Sequence, residues 1–244
     1  MKRQVTAQEI YQTLVNRYRI KSLDGIIKFH MGDVSIAVKR RDVIGGILQE
    51  WLEKWLRLNK IDFLSNPQLT MPPDIYLNRR DLTTGWLEVK AFNRNDTPRF
   101  SIAEFRTFAN ELIEHPYHLE ADYLIFGYSM NEETGKVKIQ DIWLKKIWEI
   151  TKAMATWPLT VQFKNQVLHE LRPCKWFSKR QTGRVFDCVE DFLSAFEETV
   201  YQNPDTRFLS AQWKNNFKNA YKKYYGTDIN FPKWDEIKHK YMKI

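Results

Sequence analysis

Cysteine is almost missing from this chain: Cys174 and Cys188 are the only two in 244 residues, and they form no CxxC pair. A structural zinc site or a disulfide framework is thereby excluded, and a reducing cytoplasm is the expected setting. No apolar run approaches the roughly 18–20 residues of a membrane span, and MKRQVTAQEIYQ at the N-terminus contains no apolar h-region. A soluble protein is expected, with no membrane partner. The five histidines, at 30, 115, 118, 169 and 239, make no HExxH or HNH-type cluster. Neither GxGxxG, GxxxxGK[ST] nor GxSxG occurs, so dinucleotide, phosphate-loop and serine-hydrolase chemistries lack their signatures. Internal repeats and Gly/Ser- or Pro-rich linkers are missing too, which argues for a single domain over 1–244.

What is present is apolar mass and positive charge. Hydrophobic residues make up 43% of the chain and include nine Trp, enough for a substantial core and against disorder. The net charge of +8 is unevenly placed. Residues 1–41 hold nine Lys and Arg against three acids, and 203–244 hold nine against four, which leaves 42–202 mildly acidic at −3. Basic ends around an acidic middle suit a polyanion-binding protein that keeps metal-binding acids at its centre.

Periodicity divides the chain. Ile10, Leu14 and Tyr18 predict a helix over 7–19, and Val34, Ile36 and Val38 a strand. From Asp42 as N-cap, DVIGGILQEWLEKWLRL predicts a strong helix with Glu50 and Glu53 one turn apart on its flank. A second helix is expected from a Ser101 cap. ADYLIFGYSM, 121–130, has the near-continuous apolar composition of a buried central strand, with a partner at 137–144. A short helix over 145–155, strand-like VQF and VLHEL, a helix at 188–202 and a basic helical tail at 203–244 complete an α/β reading.

The chemistry concentrates in MPPDIYLNRRDLTTGWLEVKAF, 71–92. Two short apolar runs around a polar turn predict a β-hairpin. Glu88 and Lys90, two apart on the second strand, project to one face, toward Asp74 at the entry of the first. Asp74 and Glu88, with the Val89 carbonyl, are an oxygen set suited to Mg2+, and Lys90 can orient a water for attack on a phosphodiester. Either Glu50 or Glu53 can reach this edge from the preceding helix. The bare letters are weak, since Pro204-Asp205 with Glu236-Ile237-Lys238 repeats them in a helix-like setting. Another reading of the hairpin is a plain Glu88–Lys90 ion pair on an exposed sheet face.

Gly45-Gly46…Glu50, Pro73-Asp74 and Glu88-Val89-Lys90 together resemble the PD-(D/E)XK nuclease superfamily. GWLEVKAFN, PRFSIAEF, ADYLIFGY and DIWLKKIWEIT narrow the resemblance to type II restriction endonucleases of the NgoBV kind, over about residues 30–200; Ser101 stands where that family is expected to carry Asp. The resemblance implies a restriction-endonuclease-like core, a mixed central sheet flanked by helices, with the C-terminal helical extension at about 203–244. It also implies Mg2+-dependent cleavage of both strands of double-stranded DNA within a palindrome, GGNNCC in that family, by a homodimer. A cognate DNA methyltransferase would act on the same site. Carried over, Asp74 and Glu88 are metal ligands, Lys90 the catalytic lysine and Glu50 the supporting helix acid.

Guanine-rich half-sites would be read by Arg and Lys in the major groove. The expected DNA contacts are Lys179, Arg180, Gln181, Thr182 and Arg184 in one loop and Asn93, Arg94, Asn95 and Arg99 in another, with 214–223 on phosphates. Two other readings stay open: a structure- or repair-specific nuclease of the same superfamily, and a catalytically silent DNA-binding protein.

Overall fold

The segment ADYLIFGY is apolar on both sides because both of its faces are covered. In the structure, a computed structural model describing residues 2–68, 71–180 and 183–242, it forms the centre of a six-stranded sheet. Along the chain run α1 (Ala7–Gln12), β1 (Asp24–Ile26), β2 (Lys28–Met31), β3 (Val34–Ala37), α2 (Ile44–Leu58), β4 (Leu64–Ser65), β5 (Ile75–Tyr76), β6 (Trp86–Asn93), β7 (Ala103–Glu104), α3 (Phe105–Glu114), β8 (Asp122–Met130), β9 (Lys136–Lys145), β10 (Val161–Lys164), β11 (Val167–Leu171), α4 (Val189–Gln202), α5 (Arg207–Tyr225) and α6 (Trp234–Ile237). They fall into two compact units, residues 1–98 with 121–145, and 99–120 with 146–244.

The first unit is built on the mixed sheet β1-β9-β8-β6-β5-β4. Strands β6 and β8 are parallel, Glu88 lying opposite Tyr123, while the other pairings are antiparallel. Helix α2 lays its apolar stripe on this sheet: Leu52 and Leu56 are fully buried in one core with Leu87, Val89, Leu124 and Phe126. A Cβ at Gly127 would meet the Trp143 ring at 2.9 Å, so only glycine lets that indole lie across β8, where it stacks on Phe92 at 5.8 Å. Two terminal details differ from the periodicity. The α2 N-cap is Val43, because a 3-10 turn at Arg41–Val43 precedes the helix and Asp42 pairs with Arg40 instead. The first helix ends at Gln12 and passes into a π turn, Thr13–Arg17.

The second unit joins the small antiparallel sheet β10-β11-β7 to helices α3, α4 and α5. Asn165 and Gln166 both have positive φ, 52° and 66°, the backbone that a two-residue hairpin turn requires between β10 and β11. Residues 102–104 are drawn onto this sheet, with the Ile102 N–H donating to the Leu171 carbonyl at 3.0 Å. Helix α3 therefore starts later than the Ser101 cap anticipated. Its cap is Glu104, which accepts from the backbone N–H groups of Arg106 and Thr107 at 3.2 and 2.6 Å. The helix expected over 145–155 is only a 3-10 turn, Ile147–Glu149, because β9 runs on to Lys145 and Ile150 is tied by its carbonyl to the Cys174 N–H. The basic tail is helical as α5, then α6. Among the described residues no helix is long and apolar enough to cross a membrane.

Trp213 on α5 centres this second core. It is fully buried against Phe196 and Phe217, and its indole N–H donates to the Ala109 carbonyl at 2.8 Å. Replacing it with Ala empties that space and should cost about 3–5 kcal/mol, measurable as a lowered midpoint in chemical denaturation.

Candidate active site

The hairpin β5–β6 is short because proline ends it. Ile75 pairs with Leu87, Tyr76 with Trp86, and the Leu77 N–H donates to the Gly85 carbonyl at 2.8 Å. Continuing that register sets Pro73 opposite Val89, and proline has no N–H to give. The ladder is continued by a side chain: the Val89 N–H donates to Asp74 Oδ2 at 2.7 Å, and the Asp74 N–H donates to Glu88 Oε2 at 3.2 Å. On an extended strand the N–H and C=O of one residue leave the same edge, so the Val89 carbonyl emerges on the Asp74 side. Lys90, sharing a face with Glu88, donates from Nζ to Glu88 Oε1 at 2.7 Å. Asp74, Glu88 and Lys90 thus converge.

Asn66 holds the entry segment still. Its side-chain amide donates to the carbonyls of Met71 and Pro73 at 2.8 and 2.9 Å, and its own N–H donates to the Asp74 carbonyl at 3.0 Å. This residue was not singled out in the sequence; the Asn66-Pro67 turn signal was the available hint.

Burial sets the electrostatics. Glu88 is 7% exposed, and the Lys90 side chain 20%. Burial first, and the Glu88 charge second, push the Asp74 carboxyl up to about 6; the Val89 N–H and Lys90 pull it down without cancelling the rise, and Glu53 adds to it. Burial works against the Lys90 ammonium, yet the charge and hydrogen bond of Glu88, with Asp74, hold it above the ordinary lysine range. Buried Tyr123, beside Glu88 across the strands, has its hydroxyl pushed up by burial and then by both acids, so it stays protonated.

The helix acid that acts on Asp74 is Glu53. Its carboxylate, 16% exposed, accepts from Ser65 Oγ at 2.6 Å and from Arg57 at 2.7 Å, and Ser65 lies opposite Ile75 in the β4–β5 pair. Glu50 is exposed, with no hydrogen bond or ion pair to any of these residues. Of the two acids, Glu53 contacts β4 and bears on Asp74, whereas Glu50 is exposed. The two acids are three residues apart, about 60° around the helix, and α2 turns only the second toward β4.

Could this edge hold a divalent cation? Among the described residues no three His, Cys, Asp or Glu side chains gather as a ready-made cage. Two carboxylates and one carbonyl remain, all hard oxygens, and such a set leaves room for the waters Mg2+ keeps. Burial is the larger cause of the Asp74 rise and the Glu88 charge the second, and a cation between the two carboxylates would oppose both. The donor set fits Mg2+.

The expected DNA contacts are placed as follows. Asn93 is buried, its side-chain oxygen accepting from the Asn95 N–H at 3.0 Å. Arg94 reaches Asp141 at 2.6 Å and lies over Trp143, whereas Asn95 is exposed. In the second unit, Arg99, Lys179 and Arg180 are exposed, while Arg184 pairs with Asp187 and lies over Tyr241. Gln181 and Thr182 lie outside the described residues. The lysines of 214–223 are largely used within the fold: Lys214 pairs with Glu197, Lys218 bonds Asn230 and Lys222 pairs with Asp228. The repeated motif at 204–238 has Glu236 and Lys238 on and after α6, where Glu236 caps the helix and Lys238 pairs with Asp235.

Residues 4–241 match the family model described as NgoBV restriction endonuclease. The chain is 49% identical over 240 residues to the type II restriction enzyme NlaIV of Neisseria lactamica, spanning 98% of each. It is 43% identical over 160 residues to the type II restriction enzyme NgoBV of Neisseria gonorrhoeae, or 66% of this chain and 90% of that one. A solved structure of NlaIV restriction endonuclease matches with a TM-score of 0.96 at 48% identity, covering 100% of this chain and 99% of that chain.

The Asp74 carboxyl yields a prediction. Its folded value lies above the unfolded value of 3.8, so the folded state binds the extra proton. That contribution to stability is complete below the unfolded value and is lost as pH rises through about 6. In EDTA at pH 8, Asp74→Asn should melt at least about 2 °C above the wild type, and the gap should close by about pH 4. Equal melting temperatures at pH 8 would contradict the raised Asp74 carboxyl.

Proposed function

This chain belongs to the NgoBV restriction endonuclease family, and from that premise we propose that it hydrolyses both strands of double-stranded DNA at a short palindrome, with Mg2+, as a type II restriction endonuclease. GGNNCC is the target to test first. The observation that carries the reading is the convergence of Asp74, Glu88 and Lys90 at the end of the β5–β6 ladder.

Asp74, Glu88 and the Val89 carbonyl would hold Mg2+, whose charge screens the phosphate and lowers the pKa of bound water when it is present. Lys90, kept cationic by Glu88, orients the attacking water and stabilises negative charge as that water approaches phosphorus. The bond to the 3′ oxygen breaks, leaving a 5′-phosphate and a 3′-hydroxyl. Glu53 supports the site from α2, fixed by Ser65 and Arg57. Asn66 keeps Asp74 in register with Val89. A palindromic target calls for two copies related by a two-fold, each cutting one strand. Exposed Lys179 and Arg180 are the basic side chains of their loop free to meet bases or phosphates, whereas Arg184 would first have to leave Asp187.

The test is digestion of a sequenced plasmid by purified protein with Mg2+, followed by sequencing of the ends. Discrete fragments with one shared sequence are expected, and a smear would refute the site-specific reading. Asp74→Asn, Glu88→Gln and Lys90→Ala should each lower cleavage by at least about 10²–10³-fold while retaining DNA binding, with Ca2+ supporting binding but not cutting. Glu53→Gln should slow cleavage far more than Glu50→Gln. Arg180→Ala should relax sequence preference by about 1–3 kcal/mol; uniform weakening with a smaller salt slope would make it a phosphate contact instead.

A further inference from the structure

Beyond Glu88 the central sheet carries a row of polar side chains. Glu88 on β6, Tyr123 on β8 and Lys145 on β9 are direct partners in register. Such partners share a face, with neighbouring strands roughly 4.8 Å apart. Val89 and Leu124, one residue further on, belong to the core beneath α2, so the row lies on the opposite face, which Lys90 shares. Outward from Asp74, that face changes from carboxylate to phenol to ammonium. An anion brought to the two acids by a cation meets Tyr123 on the next strand, with the charge of Lys145 beyond it.

Tyr123 is the unusual member of the row. It is 6% exposed, and buried polar side chains nearly always have a hydrogen-bond partner. Its hydroxyl nevertheless makes no hydrogen bond to any described residue. The acid beside it is already occupied: Glu88 Oε1 accepts from Lys90, and Oε2 accepts from the Asp74 N–H. The charges of both acids bear on the phenol, as its nearness to the Asp74–Glu88 edge requires. Phenylalanine would fill the same space without the cost of burying an unpaired hydroxyl. The hydroxyl is placed for a partner that the fold does not supply.

We propose that Tyr123 is a further catalytic residue, whose hydroxyl donates a hydrogen bond to a non-bridging oxygen of the phosphate being cut. A phenol suits this position because it donates without carrying charge. An ammonium there would pair with Glu88, as that of Lys90 does. Charge builds on the phosphoryl oxygens as water approaches phosphorus, and a fixed donor beside them strengthens its hold at that moment. The inference rests on the proposed DNA-cleavage reading and adds a residue to its site.

The Tyr123→Phe variant of the full chain tests it. In EDTA the variant should melt no lower than the wild type, because the lost hydroxyl has no partner in the fold. The duplex for the binding measurement carries the sequence shared by the plasmid ends that the wild type produces. Affinity for that duplex in Ca2+, and the rate of cutting it in Mg2+, should each fall about tenfold or more. A variant that binds and cuts like the wild type overturns the inference, as does one that melts lower, which would give the hydroxyl to the fold. Normal binding with slow cutting would also overturn the phosphate contact and place the hydroxyl on the attacking water. These outcomes leave the cleavage reading intact, whereas a wild type that leaves plasmid uncut removes that reading and this inference together.

Discussion

Where β5 meets Pro73, the backbone ladder with β6 runs out of donors and a carboxylate takes over. The hydrogen bond from the Val89 N–H to Asp74 fastens the first strand's entry to the second strand's middle. It fixes one Asp74 oxygen, leaves the other free, and directs the Val89 carbonyl to the same side. Asn66 matters for the same reason: three of its hydrogen bonds go to Met71, Pro73 and Asp74, so the segment without a sheet partner is still held. The other parts of the site, Glu88, Lys90 and Glu53, are arranged around a side chain whose place depends on this contact.

Charge imbalance follows from that geometry. Asp74 and Glu88 share one lysine at a largely buried edge, and burial first, then the Glu88 charge, pushes the Asp74 carboxyl up to about 6. Such a site is poorly suited to stability alone, because a matched pair or apolar residues would be less costly there. It is well suited to receive a divalent cation, which turns repulsion among the acids into binding energy. Lys90 escapes the opposite fate, losing its proton through burial, because Glu88 is bonded directly to it.

Much of this was legible in the residues. Alternation placed Glu88 and Lys90 on one face, and the apolar run at 121–130 announced a strand covered on both sides. Helical phase was less decisive. Two acids one turn apart look equivalent until the neighbouring strand is known, and β4 with Ser65 selected Glu53 over Glu50. Cap positions failed where a preceding segment was recruited elsewhere, as 102–104 was by β11. The basic residues were the hardest to read. Composition does not reveal that Arg94 is committed to Asp141, or Arg184 to Asp187.

Burial and the neighbouring Glu88 charge hold the Asp74 carboxyl above the ordinary aspartate range, and Mg2+ bound there as proposed would pull it back down. A carboxyl-carbon NMR titration of Asp74 addresses it directly, with and without Mg2+. Without the ion the carboxyl should titrate near 6, and saturating Mg2+ should move that midpoint well down. A midpoint in the ordinary aspartate range that ignores Mg2+ would contradict the account.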